Sequence, residues 1–247
     1  MSEIAPRFAD VTKTYAGAAA LSGFSLEVRR GEFFGLVGVN GAGKTTLIKC
    51  LLDFCAADGG AIDIFDVSHR VATARSRLAF LPERFNPPFY LTGRDYLQYS
   101  LKLHRAPYDE ARVTRMFRAL DLEPSALDRP ARDYSKGMTQ KLGLAACLLS
   151  GKDLYVLDEP TGGLDPKARA LLKAELKAVR GAGHTVFFTS HALADVAEMC
   201  DRVAVLHAGR LRFAGTPREL ADRHGAPDLE QAFLACIGEQ TVPSATP

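Results

Sequence analysis

The sequence predicts an α/β fold, and three observations carry that prediction. First, the apolar run Phe33-Phe34-Gly35-Leu36-Val37 leads into Gly38-Val39-Asn40-Gly41-Ala42-Gly43-Lys44-Thr45-Thr46. After it, Leu47, Ile48, Leu51, Leu52 and Cys55 fall on one helical face. Second, strand patterns separated by turn signals open the chain. Third, strand patterns give way to helical ones from about residue 84 to residue 149. The strand, glycine-rich loop and helix fit the P-loop pattern of Gly, four residues, Gly, Lys, then Ser or Thr. The expected architecture is a P-loop NTPase core with an antiparallel β subdomain and an inserted α-helical subdomain.

Each element has its own signal. Residues 8–12 and 24–28 read as strands, with turn signals at Ala16-Gly17 and Arg30-Gly31. Residues 62–65 follow Gly59-Gly60 as another short strand. Within the insert, helical patterns cover 92–104, 108–120 and 137–149. Leu154-Tyr155-Val156-Leu157 returns the chain to a buried strand. Asp165 is placed to cap a helix that starts at Pro166 and closes at Gly181. Residues 185–189 form a β-branched and aromatic strand. Strands at 203–206 and 211–214 flank the hairpin turn His207-Ala208-Gly209-Arg210. Thr216-Pro217-Arg218-Glu219 is a capping box. The domain is expected to occupy 1–225, with a short C-terminal helix and a frayed tail over 226–247.

Bulk properties exclude several classes. A chain of 247 residues suits one large domain or one domain with an insertion, and 47% hydrophobic content can fill a core. The 31 basic and 29 acidic residues leave +2, no electrostatic footprint for nucleic acid or an anionic membrane. The five cysteines form no C-x-x-C pair and read as reduced core thiols. Residues 1–10 lack the basic start and apolar run of a signal peptide, and no apolar run reaches membrane-spanning length. A soluble, cytoplasmic chain is expected, reaching a membrane only through another protein.

The glycine-rich stretch carries the chemistry. Its glycines let backbone N–H groups of Gly38, Asn40, Gly41, Ala42, Gly43 and Thr46 turn toward phosphate oxygens, and the following helix adds its positive end. Lys44 is expected to reach the β- and γ-phosphates, and the Thr45 hydroxyl to bind Mg²⁺. Downstream, the strand 154–157 ends in Asp158-Glu159, two carboxylates that a buried strand tolerates only with work or partners. Tyr134-Ser135-Lys136-Gly137-Met138-Thr139-Gln140 precedes them, and Gly162-Gly163-Leu164-Asp165 and Ser190-His191 follow.

In this order, these stretches resemble the nucleotide-binding subunit of an ABC transporter, over about residues 8–225. The resemblance implies the following roles. Asp158 holds Mg²⁺, and Glu159 is the general base that polarises the attacking water. Ser135 and Gly137 belong to the signature that binds the γ-phosphate of ATP held by a second subunit, with Lys136 and Met138 departing from the common Leu-Ser-Gly-Gly-Gln form. Asp165 belongs to the loop that touches the partner, and it serves equally as a helix cap. His191 contacts the γ-phosphate, and Tyr15 stacks on adenine. Glu83, after Leu78-Ala79-Phe80-Leu81-Pro82, stands where the family places a glutamine.

The implied function is an ATPase subunit, with ATP and Mg²⁺ as cofactors, acting as a homodimer or with a paralogous ATPase subunit. It powers a transmembrane permease encoded separately, and the signature and tail are similar to the drug, lipid and polysaccharide exporters. Residues 85–99, with Phe85, Phe89 and Tyr90, are expected to meet the permease or to pack within the helical subdomain. The rival is a soluble, non-transport ABC ATPase of an assembly-scaffold type. A guanine-reading Asn-Lys-x-Asp is not found.

Overall fold

A computed structural model describes residues 3–238, and the expected tail at 241–247 lies outside them. Contacts divide the chain into two units. The first comprises residues before Ser76 and from Thr189 onward, and the second is Ser76–Phe188.

In the first unit, β1 (Ile4–Tyr15) and β2 (Ala18–Arg29) form a long hairpin. Its turn places Ala16 and Gly17 at φ 46° and 83°, both left-handed, which matches the twist of paired strands. Both strands outrun the expected 8–12 and 24–28. The added residues are held by cross-strand partners: Thr14 pairs with Ala19 and Tyr15 with Ala18 toward the turn, and Arg7 opposite Glu27 makes an ion pair at 2.9 Å on the exposed face. β4 (Gly59–Ile64) and β5 (Val67–Ser68) complete an antiparallel sheet in the order β2-β1-β4-β5. Phe65 leaves the strand, because it and Asp66 turn the chain at φ 51° and 61°. A single helical turn, α2 (Ala72–Arg75), follows.

β3 (Phe33–Val37) is buried at every residue and runs parallel to β9 (Arg202–His207). Continuous apolar runs suit a strand covered on both faces. β9 pairs antiparallel with β10 (Arg210–Gly215) across the expected hairpin. α1 (Lys44–Leu51) buries Leu47, Ile48 and Leu51. It ends sooner than the apolar pattern implied. Asp53 turns left-handed at φ 60°, and Phe54 N–H returns to Lys49 O at 2.9 Å, so Cys55 leaves the helix. α7 (Leu193–Met199), α8 (Pro217–His224) and α9 (Leu229–Gly238) close this unit. Thr216 and Glu219 form the expected capping box on α8, and α9 buries Leu229, Ala232, Phe233 and Cys236.

The second unit holds strands in the order β8-β7-β6: β6 (Leu78–Leu81), β7 (Leu154–Asp158) and β8 (Thr185–Ser190), whose end carries the chain back to the first unit. β6 and β7 are parallel, with Leu81 beside Leu157. Between them lie α3 (Gly93–Leu103), α4 (Glu110–Ala119), 3₁₀ turns at Pro124–Asp128 and Ala131–Asp133, and α5 (Lys136–Leu149). α5 is buried all round from Gln140 onward. α6 (Pro166–Gly181) starts and ends where expected, with Ala182 as its C-cap and Gly183 turning the chain at φ 83°. Phe85 is not exposed: its ring meets Tyr96 edge-on at 5.4 Å and lies over Gly143. Phe89 and Tyr90 do stand in solvent, 65% and 67% exposed. All five cysteines are free thiols. No helix among the described residues is long and apolar enough to cross a membrane.

Arg94 ties the helical insert together. Its guanidinium bonds Asp128 at 2.8 Å, Glu110 at 2.5 Å and the Tyr108 hydroxyl at 3.1 Å, joining α3 to the start of α4 and to the first 3₁₀ turn. Hydrogen bonds from Arg94 hold the Glu110 and Asp128 carboxyls below their usual range. Groups lowered on folding stabilise above the unfolded pKa, near 4, and lose that contribution as pH falls through the folded value. Arg94→Met should therefore lose less stability between pH 7 and pH 3, in urea titrations, than the parent does. Equal losses would show that the pairs contribute nothing.

Candidate functional site

The P-loop half of the site lies in the first unit. β3 delivers the chain to Gly38, where an added Cβ would come within 2.4 Å of Leu206 O at the end of β9. The loop then turns through Ala42, whose N–H donates to Val39 O at 3.1 Å, and Gly43 at φ 112°. A Cβ at Gly43 would sit 2.5 Å from Ala20 O at the start of β2. Side chains are thus excluded on both flanks, and the backbone is held where its N–H groups can approach a ligand closely. α1 starts at Lys44 with no side-chain cap and no acidic residue in its first turn. The Lys44 ammonium is buried and donates to Gly38 O at 2.6 Å and Val39 O at 3.4 Å. Asn40, Gly41 and Thr45 are exposed, and Thr46 is half-buried.

Tyr15 closes the β1–β2 hairpin beside the far end of α1. Its hydroxyl donates to Cys55 Sγ at 3.4 Å, and Lys13 Nζ stands 5.3 Å from its ring centre. The ring is 46% exposed, which leaves a face for a planar partner. His191 stands exposed at the bend between β8 and α7, where Ser190 Oγ accepts from Ala192 N–H at 3.0 Å.

The remaining residues lie in the second unit. Asp158 ends β7 and is buried; Glu159 follows it, also buried, with φ 49°. A left-handed, non-glycine residue stores roughly 1–3 kcal/mol of strain and occurs where neighbouring structure enforces it. Here Glu159 O accepts from Gly162 N–H at 2.9 Å, closing the turn. Glu83 follows β6, the parallel neighbour of β7, so it emerges exposed at the same end of the strands as Asp158. Ser135 caps α5, accepting from Met138 N–H at 3.2 Å. A Cβ on Gly137 would lie 3.8 Å from Gly163 O, and one on Gly163 would lie 3.4 Å from Lys136 Cε. The unit therefore brings the signature stretch against the Gly162-Gly163 loop. Asp165 caps α6, accepting from Ala168 N–H at 2.9 Å.

These residues fit ATP and Mg²⁺. The side-chain-free cradle, the buried ammonium and the open start of α1 suit a polyphosphate. Among the described residues no cluster of three or more His, Cys, Asp or Glu could hold a metal by itself. Mg²⁺ needs no such cage: it is held by one or two protein oxygens with phosphate and water.

One support was not visible in the sequence. The β9–β10 turn lies beneath the P-loop: Gly209 N–H donates to Ala42 O at 3.0 Å, and Ser22 N–H donates to Gly209 O at 2.9 Å. Ala208-Gly209 announced a hairpin, but nothing in its composition announced what it supports.

The ABC transporter family model matches residues 21–162, more than half of the chain. An ABC transporter ATP-binding protein of Synechocystis is 38% identical over 207 residues, covering 81% of this chain. A Nod factor export ATP-binding protein of Burkholderia pseudomallei is 36% identical over 233 residues, covering 92% of this chain and 75% of its own. A solved ATP-binding subunit of an ABC transporter superposes with a TM-score of 0.86 at 28% identity, over 94% of this chain and 99% of that one. The chain spans only 58% of the Synechocystis relative's length. With the family model covering the P-loop, the signature stretch and Asp158-Glu159 in one match, the chain belongs to the ABC transporter family.

Proposed function

We propose that the chain binds and hydrolyses ATP with Mg²⁺ and so drives a separate transmembrane permease that exports its substrate. The observation that carries this reading is the P-loop, closed to side chains at Gly38 and Gly43 with Lys44 buried beneath it. In this reading the loop amides and Lys44 hold the β- and γ-phosphates, and Tyr15 carries the adenine. Mg²⁺ draws on the Thr45 hydroxyl and Asp158. Glu159 takes the proton of the attacking water, while Glu83 and His191 flank the γ-phosphate. The export direction is supported by the relative named for Nod factor export.

The signature points to a second copy or a paralogue. Ser135 and Lys136 are exposed at the start of α5, beside Gly163. They would read the γ-phosphate held by the partner, with Asp165 and its loop at the same seam. Phe89, Tyr90 and Tyr99, at 65%, 67% and 56% exposure, are the surface offered to the permease. The chain would sit on the cytoplasmic face, held at the membrane by the permease alone.

Two measurements test this reading. A general base contributes about 10²–10⁴-fold to rate. Glu159→Gln should lose phosphate release by that order while keeping MgATP affinity, because the ground-state phosphates rest on the P-loop. Turnover at the parental rate removes the base assignment, and joint loss of binding makes Glu159 structural. The second measurement is complementation. A Lys44→Ala chain mixed with a Ser135→Arg chain retains one intact pairing of P-loop with signature. ATPase activity should reappear on mixing; stable mixed dimers without activity would contradict sharing between subunits.

A further inference from the structure

The first unit holds a pair of thiols that no step of nucleotide binding or hydrolysis uses. Cys50 is buried near the end of α1. Beyond it the chain folds back: Asp53 N–H donates to Cys50 O at 3.0 Å, Phe54 N–H to Lys49 O at 2.9 Å, and Cys55 N–H to Lys49 O at 3.4 Å. Arg75 fixes the turn through Asp53 Oδ2 at 3.0 Å. The result sets Cys55 Sγ 3.6 Å from Cys50 Sγ. A disulfide needs about 2.05 Å, so an approach of roughly 1.5 Å closes the bond. The outer sulfur of this pair also accepts from the Tyr15 hydroxyl at 3.4 Å. Tyr15 is steadied in turn by Lys13, whose ammonium pairs with Asp58 at 2.7 Å.

We propose that Cys50 and Cys55 are an oxidative modification site, closed by a peroxide into a disulfide that weakens nucleotide binding through Tyr15. The half-buried Cys55 meets the oxidant first. Burial, then hydrogen bonding and charge repulsion from Cys55, push the Cys50 thiol up to about 12, which leaves it the second thiol to react. The Cys55 thiolate attacks a peroxide oxygen, the O–O bond breaks, and the departing hydroxide takes a proton to become water. Cys50 then attacks the sulfenic sulfur of Cys55. The S–S bond forms, the S–O bond breaks, and the hydroxyl leaves with the Cys50 proton as water. Two thiols and one hydrogen peroxide give one disulfide and two waters, and thiol reductants reverse the change. Drawing Cys55 Sγ toward Cys50 displaces the acceptor that holds the Tyr15 hydroxyl. This last link rests on the reading of Tyr15 as the adenine platform.

The test uses the full chain, treated with hydrogen peroxide, blocked with iodoacetamide and digested with trypsin without reduction. Both cysteines fall in one peptide, residues 50–70, between Lys49 and Arg70. The expected product is that peptide, unalkylated and lighter by two hydrogen atoms. Oxidised protein should bind MgATP about fivefold or more weakly, the low end of one lost stacking contact. A thiol reductant should restore affinity, and Cys55→Ser should be indifferent to peroxide. Alkylation of both cysteines after treatment, or oxygen added without ring closure, overturns the disulfide. A closed disulfide with unchanged affinity overturns the coupling to Tyr15. Separately, reduced Tyr15→Ala binding MgATP as tightly as the reduced parent removes the adenine reading and leaves the disulfide standing.

Discussion

Two backbone approaches fix the geometry on which the proposed chemistry depends. At Gly38 the loop passes Leu206 O, and at Gly43 it passes Ala20 O, each with no space for a single carbon. Those carbonyls belong to β9 and β2, which the chain reaches at quite different points. The Gly209 turn adds hydrogen bonds to Ala42 and Ser22, so the loop is clamped from both sides. A loop so held loses little further freedom when it meets a ligand, which is the advantage of preorganisation. The antiparallel hairpin therefore does more than cover a core: it supplies one jaw of the clamp and carries Tyr15 at its tip.

The second unit concentrates a different kind of constraint. Glu159 is held left-handed by the turn that follows β7, with its carboxylate buried. That turn continues through Gly162-Gly163 toward Gly137, so the proposed base and the signature stretch are linked by one short run of chain. A change in the turn at Glu159 has a direct route to the surface that would face a partner subunit. The Arg94 hub adds a few charge-assisted bonds to the apolar packing of the helices, which buries Leu97, Leu101, Val113 and Phe117.

Much of this was legible in the sequence, and for identifiable reasons. The P-loop declares itself because glycine spacing and flanking apolar runs must coincide. The caps at Asp165 and Thr216 were readable because a cap is a local pattern. What escaped was long-range. The strands of the hairpin outran their apolar segments because cross-strand pairs such as Arg7 with Glu27 and Thr14 with Ala19 depend on register. Phe85 turned inward because Tyr96 and Gly143 receive it, and neither is near it in sequence. The Gly209 support and the Cys50–Cys55 contact depend on where the chain returns and how α1 ends, which periodicity does not encode.

The clamp on the P-loop is the central claim, and Gly43→Ala tests it most directly. The substitution adds one methyl 2.5 Å from Ala20 O at a residue with φ 112°. Equilibrium MgATP binding should be measured beside circular dichroism of the same samples. The account predicts retained secondary structure and affinity reduced at least about tenfold, or ~1.4 kcal/mol. Folded Gly43→Ala protein binding MgATP as tightly as the parent would contradict it.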